Sequence, residues 1–218
     1  MCDPTSVDQY FSYKVCINLN RRADRWTAMQ GKFARLNIST VKRLAAVDAN
    51  KVAVPQRFSH LRPADYACTM SHLCAVETAR EIGAENVLIF EDDAFFDSEF
   101  TIKFPLFVSQ LPADWHMLFL GGYHLQRPVP VSANIVRAVE TLTSHAYAVR
   151  HSLYDEFIRL NQEPPRIIDR NNTVLQQRFN CYCFEPNLVG QDAGYSDVMG
   201  EVMPAKPLTY PFPILGQW

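Results

Sequence analysis

The chain has 218 residues, with 21 Lys or Arg against 23 Asp or Glu and a formal net charge of -2. That balance excludes a nucleic-acid protein, which needs a concentrated positive surface to hold phosphates; the basic residues are dispersed apart from Arg21, Arg22 and Arg25. A hydrophobic share of 48% with 20% charged residues excludes wholesale disorder and fits one folded domain.

Residues 1–12 read as an N-terminal extension. Residues 13–19 read as a strand, after which a polar loop over 20–26 leads into a helix running to Leu36. A second strand over 41–47 stops at Asp48, and 51–63 reads as a proline-bearing loop. Asp65 is the expected cap of a helix that ends at Ile82 and Gly83. Further strands are expected at 87–90, at 115–120 before Gly121-Gly122, and at 146–149, with a helix near 153–160. The glycine pair reads either as a simple turn or as room for a ligand to approach. Strands alternating with helices imply an α/β domain over 13–202: a Rossmann-like, mostly parallel sheet with right-handed crossovers, flanked by helices. Phe95, Phe96, Phe100, Phe104 and Phe107 recur near helical spacing and are assigned to the core. The tail over 203–218 holds Pro204, Pro207, Pro211 and Pro213, which excludes a regular helix or central strand there. It is expected to wrap the surface or touch a neighbour, and a homodimer is a candidate state.

No stretch reaches the roughly 20 apolar residues of a membrane span, and the first residues carry no signal-peptide pattern, so a cytoplasmic protein is expected. The six cysteines fit neither zinc-pair spacing nor a dense disulfide framework, and Cys16, Cys68 and Cys74 read as buried thiols without a metal role. His60, His116, His124 and His151 show no ligand spacing and read as surface or packing residues.

The most pointed feature is the apolar run 87–90 ending in Glu91-Asp92-Asp93. Three adjacent acids repel one another, so a buried strand delivering them to its C-terminal edge suggests an oxygen site for Mn²⁺ or Mg²⁺. The first strand's loop, with Asn18, Asn20, Arg21, Arg22 and Arg25, would open on the same edge of a parallel sheet. Arginines, amides and a metal facing one another suit a nucleotide diphosphate.

Residues 15–26, VCINLNRRADRW, resemble the opening of family 25 of the glycosyltransferases, which includes lipooligosaccharide and collagen galactosyltransferases. Six later pieces follow in the family's order. Residues 45–48 are similar to its next strand end, 67–72 to its Gly-Cys-x-x-Ser-His helix, and 87–93 to its strand with Glu-Asp-Asp. Residues 115–122 are similar to its Trp-Asp-x-x-x-x-Gly strand, 143–147 to its Thr-x-Ala-Tyr strand, and 195–197 to its Tyr-x-Ser-Asp element. The resemblance implies a GT-A-like hexosyltransferase that moves galactose or glucose from a UDP-sugar to a hydroxyl of a glycan or protein, inverting the anomeric centre with metal assistance.

By matching positions, the resemblance places Asn18, Leu19, Arg21 and Arg25 on the uracil and phosphates, and Ala46 and Asp48 near the base. Ser71 and His72 would approach the ribose or diphosphate, Glu91 and Asp92 the donor sugar side, and Asp93 with Glu91 the metal. His145 is a candidate for lining the site. Asp169, in a segment similar to the family's Pro-Val-Asp, is the candidate base. The chain departs from the pattern at Asp65-Tyr66 and His116, and it has no histidine after His151 to serve as a late metal ligand. Gln191, Asp192 or Asp197 are candidates for that place. If the metal is lost, the alternative is a non-catalytic carbohydrate-binding or partner-recruiting pseudoenzyme of the same fold.

Overall fold

The computed structural model describes residues 5–163, 166–206 and 208. A short helix α1 (Val7–Tyr10) precedes β1 (Tyr13–Asn18), α2 (Ala23–Arg35), β2 (Lys42–Ala45) and α3 (Pro63–Glu81). Next come β3 (Asn86–Glu91), β4 (Ala94–Phe96), α4 (Phe100–Val108) and β5 (Met117–Phe119). Short strands β6 (Tyr123–His124), β7 (Val129–Pro130), β8 (Ile135–Arg137) and β9 (Thr141–Leu142) lead to β10 (Ala146–Arg150). The chain continues through α5 (Tyr154–Gln162), α6 (Ile168–Arg178), β11 (Cys181–Phe184), β12 (Val189–Gln191), β13 (Gly194–Ser196) and β14 (Glu201–Met203).

The main sheet has the order β2-β1-β3-β10-β5-β11-β8-β7. All its strands point one way except β10 and β8. It is thus the mostly parallel α/β sheet expected, with two reversed strands. The reversal of β10 has a local cause: β6 and β9 pair into a ribbon at the exit of β5, and the chain re-enters the sheet from that same edge.

Alternate side chains of each strand point to opposite faces, so the sheet carries two cores. Cys16, Leu88 and Phe90 pack with Met29 and Phe33 of α2 and with Phe100, Phe104 and Phe107 of α4. Val15, Ile17, Val87 and Ile89 pack on the other face with α3, α5 and α6. Fully burying a phenylalanine contributes about 1.5–3 kcal/mol, and the α4 set does so. Phe100, Phe104 and Phe107 are 1%, 1% and 3% exposed, and Phe100 stacks on Phe104 with centroids 5.6 Å apart. Phe95 and Phe96 sit on β4 and are only half-buried.

Several expectations are corrected. Helix α3 starts at Pro63, whose fixed φ suits the first helical position, so Asp65 sits in the first turn and pairs with Arg62 at 2.6 Å instead of capping. Cys74 points outward from α3 and is exposed, and Cys68 is half-buried; Cys16, Cys181 and Cys183 are buried. Asp169 lies in the first turn of α6, an element whose polar sequence gives little apolar period. At Gly121 a Cβ would lie 1.9 Å from the Val189 carbonyl oxygen, so the position admits the close approach of the protein's own backbone. Val7 and Phe11, within the expected extension, are buried in the core. Of the expected tail, Met203 ends β14 and Lys206 bridges to Gln191; residues 207 and 209–218 lie outside the described residues.

Candidate active site

The C-terminal ends of β1, β2 and β3 open into one cleft of about 290 Å³. Leu19, Arg21, Arg25, Ala46, Ser71, His72, Glu91, Asp92, Asp93, His145 and Asp169 line it. Asn18 and Asp48, also singled out from the sequence, stand one layer behind. Asn18 is buried at the end of β1 and donates from Nδ2 to Asp92 at 2.6 Å. Asp48 pairs with Arg21 at 2.6 Å.

The three strand-end acids are treated differently. Asp92 is occupied by the protein, accepting from Arg25 Nη1 at 2.8 Å and from Asn18. Glu91 Oε1 accepts from the Ser144 hydroxyl at 2.5 Å and lies 3.3 Å from His72 Nε2, while His72 Nδ1 meets the Tyr147 hydroxyl at 3.0 Å. Burial alone would raise the Glu91 carboxyl, but His72 and Ser144 outweigh it and hold the group well below the usual range. Asp93 accepts from Gln191 Nε2 at 3.1 Å and lies 3.5 Å from Arg25. Its Oδ1 is buried with no partner among the described residues. Burial and the adjacent Glu91 charge push the Asp93 carboxyl up.

The arginines of this wall are already engaged. Arg21 holds Asp48 and Asp197, Arg22 holds Asp24 and Asp197, and Arg25 reaches Asp92, Asp93 and the Tyr195 carbonyl. Asp197 comes from the turn between β13 and β14, so that hairpin is latched onto the loop after β1. Arg21 is 39% exposed, whereas Arg25 and Asp92 are 16% and 12% exposed, so the Arg25 pair is the less screened of the two.

The opposite wall carries groups without partners. Thr143 has φ +83°, a costly conformation for a β-branched residue, and its Oγ1 is unpaired among the described residues. His145, 1% exposed, directs Nε2 to the Val189 carbonyl at 3.0 Å. A carbonyl only accepts, so Nε2 carries the proton and Nδ1 is left as a buried acceptor with no partner among the described residues. Burial also disfavours the charged ring. Asp169 Oδ1 is likewise unpaired, and burial together with the Glu91 charge raises its carboxyl.

A hard divalent cation fits this donor set. Asp93 offers an orphaned buried oxygen beside a second carboxylate, which is the chemistry Mn²⁺ or Mg²⁺ prefers. Cys68, His72 and Glu91 also bring ligand atoms within 4.8 Å of one another. Burial keeps the Cys68 thiol protonated and His72 already faces Glu91, so this trio is a satisfied cluster as it stands. Of the residues considered for a late histidine's place, Gln191 touches Asp93, Asp192 pairs with Lys32 at 2.6 Å, and Asp197 is taken by arginines.

Sequence reasoning missed Thr143 and Lys206 as cleft residues. Backbone strain leaves no mark in one sequence, and Lys206 sits among prolines with no motif around it.

An α/β sheet with a cleft of arginines and carboxylates at its strand ends defines the class, and one comparison names the family. Residues 12–166, well over half of the chain, match the model of glycosyltransferase family 25 (LPS biosynthesis protein). The chain belongs to that family. No curated protein sequence matches it. Among solved structures it is similar to a glycosyltransferase involved in the glycosylation of the major capsid of PBCV-1, at 6% identity, TM-score 0.40, covering 69% of this chain and 65% of that one. It is also similar to mannose-1-phosphate geranyltransferase from Thermus thermophilus, at 10% identity, TM-score 0.40, covering 78% and 58%. A third similarity is to A197 from STIV, at 6% identity, TM-score 0.40, covering 89% and 95%. The chain spans less than two thirds of the length of the first two. Among the described residues, no helix is long and apolar enough to cross a membrane.

Proposed function

We propose that this protein is a glycosyltransferase that moves a hexose, galactose or glucose, from a UDP-sugar to a hydroxyl of a glycan or protein acceptor, inverting the anomeric centre. The observation that supports it best is the convergence of unpaired buried atoms (Asp93 Oδ1, His145 Nδ1 and Asp169 Oδ1) on a cleft that also presents Arg21 and Arg25. Buried polar atoms are rarely left unpaired, so each marks a place for a substrate or ion group.

The acceptor hydroxyl oxygen forms a bond to the anomeric carbon as the bond from that carbon to the β-phosphate oxygen breaks. The bonding pair leaves on the phosphate, and the hydroxyl proton passes to the Asp169 carboxylate. Asp169 suits that task because its raised carboxyl is a stronger base than an exposed aspartate. Arg21 and Arg25 exchange Asp197 and Asp92 for phosphate oxygens and hold the departing diphosphate. Glu91 and Asp93 would hold a divalent cation, which when bound supplies charge stabilisation to the diphosphate. Ser144 and His72 keep Glu91 ionised for that role.

The test is UDP release from UDP-galactose and UDP-glucose in Mn²⁺, with and without hydroxyl acceptors, for wild type and Asp93→Ala. Slow release by wild type and loss in the variant support the assignment. No release across a donor panel, with no thermal shift on adding UDP and Mn²⁺, would instead favour a binding module without catalysis.

A further inference from the structure

We infer that Lys206, carried into the cleft by a strap paired to β12, is a phosphate-binding group of the donor site. The inference rests on the sugar-nucleotide reading above and adds a residue that lies beyond the family match.

The strap is held by its backbone. Lys206 N–H donates to the Gln191 carbonyl at 2.8 Å and Gln191 N–H donates back to the Lys206 carbonyl at 3.1 Å; two residues on, Asn187 N–H donates to the Leu208 carbonyl at 3.2 Å. The approach is close enough to require a glycine opposite it, because a Cβ on Gly190 would lie 2.6 Å from the Lys206 carbonyl oxygen. Lys206 is thereby fixed against the edge of β12, and its side chain becomes part of the cleft wall.

Charge matching then singles Lys206 out. Among the cleft's other cations, Arg21 is matched by Asp48 and Asp197, Arg25 by Asp92 and Asp93, and Arg62 by Asp65. The Lys206 ammonium lines the cleft and has no ion pair or hydrogen bond among the described residues. It stands near enough for its charge to act on both Asp169 and His145, on the wall where unpaired acceptors converge. A diphosphate brings at least two negative charges into a cleft already lined by Glu91, Asp92, Asp93 and Asp169, and an unmatched ammonium relieves that repulsion without breaking an existing pair. A lysine also suits the task sterically, being a point charge on a flexible stem that can follow a phosphate oxygen.

The experiment is calorimetric titration of UDP and of uridine, in the same Mn²⁺ buffer, into wild type, Lys206→Met and Lys206→Arg, with melting curves for all three. Lys206→Met is expected to weaken UDP about tenfold or more, as befits a lost hydrogen bond between charged groups. It should leave uridine affinity unchanged, and Lys206→Arg should restore most of the UDP affinity. Equal UDP affinity in wild type and Lys206→Met overturns the assignment while leaving the donor reading intact. Equal loss of uridine and UDP overturns it in favour of a structural role for the strap. Unchanged UDP affinity with a shifted acidic limb of the rate profile overturns it in favour of tuning Asp169. Failure of wild type itself to bind UDP overturns both readings together.

Discussion

The two walls of the cleft differ in how completely the protein satisfies its own polar groups. On the arginine wall nearly every charge is matched: Arg21, Arg22 and Arg25 share Asp24, Asp48, Asp92 and Asp197, and Asp93 beside Arg25 keeps one unpaired oxygen. On the facing wall Thr143 Oγ1, His145 Nδ1 and Asp169 Oδ1 have no partner among the described residues, and Thr143 is strained as well. A matched wall keeps its shape before the ligand arrives and exchanges one anion for another. An unmatched wall costs stability in the free protein, and that cost falls when substrate groups complete it. Binding and chemistry would thus be divided between the walls.

The largest way to break that division is Asp169→Asn. It should lower the rate of transfer by about 10²–10⁴-fold, the worth of a positioned general base, while UDP affinity measured by calorimetry stays at the wild-type value. A variant that loses both equally would show that the walls do not divide the work. Away from both walls, Phe104→Ala should cost about 3–5 kcal/mol by chemical denaturation, because the removed ring is fully buried between Phe11, Phe100 and Phe184. The folded variant should retain UDP binding.

Asp197→Asn probes the matched wall. Removing the carboxylate that occupies Arg21 and Arg22 should raise UDP affinity severalfold, on the order of one surface ion pair. Unchanged or weaker binding would mean that the latched hairpin helps hold the ligand.

The smallest effect concerns pH. Asp169 has a folded-state carboxyl raised by burial and by Glu91, so the folded chain holds this proton to higher pH than the unfolded chain does. Stability from this group is therefore present below the unfolded value of 3.8 and is lost as pH rises through the raised folded value. Asp169→Asn should raise Tm at neutral pH, with the gain disappearing in acid. The acidic limb of kcat/KM in wild type should fall at a higher pH than an ordinary aspartate would give.

Much of this was readable from sequence because the decisive half of the sheet is regular. β1 and β3 carry apolar runs, 15–17 and 87–90, that end in chemistry-bearing residues, and a parallel sheet puts such ends on one edge. Between β5 and β10 the chain forms only strands of two or three residues, β6 to β9, too short to show a period. Helix α6 was hidden for a different reason: its buried face uses Asn171, Asn172 and Gln176, with Asn171 bonded to Asn161 and Gln176 to Thr141, so polarity masked burial. The latch between Asp197 and the arginines spans more than 170 positions, and only the folded chain reveals it.

The most direct measurement is the melting temperature of the wild-type protein with UDP, with Mn²⁺ and with both. The account predicts a clear rise with UDP that grows when Mn²⁺ is present, since a ligand bound only by the folded state stabilises it by mass action. No shift with millimolar UDP and Mn²⁺ together would contradict it.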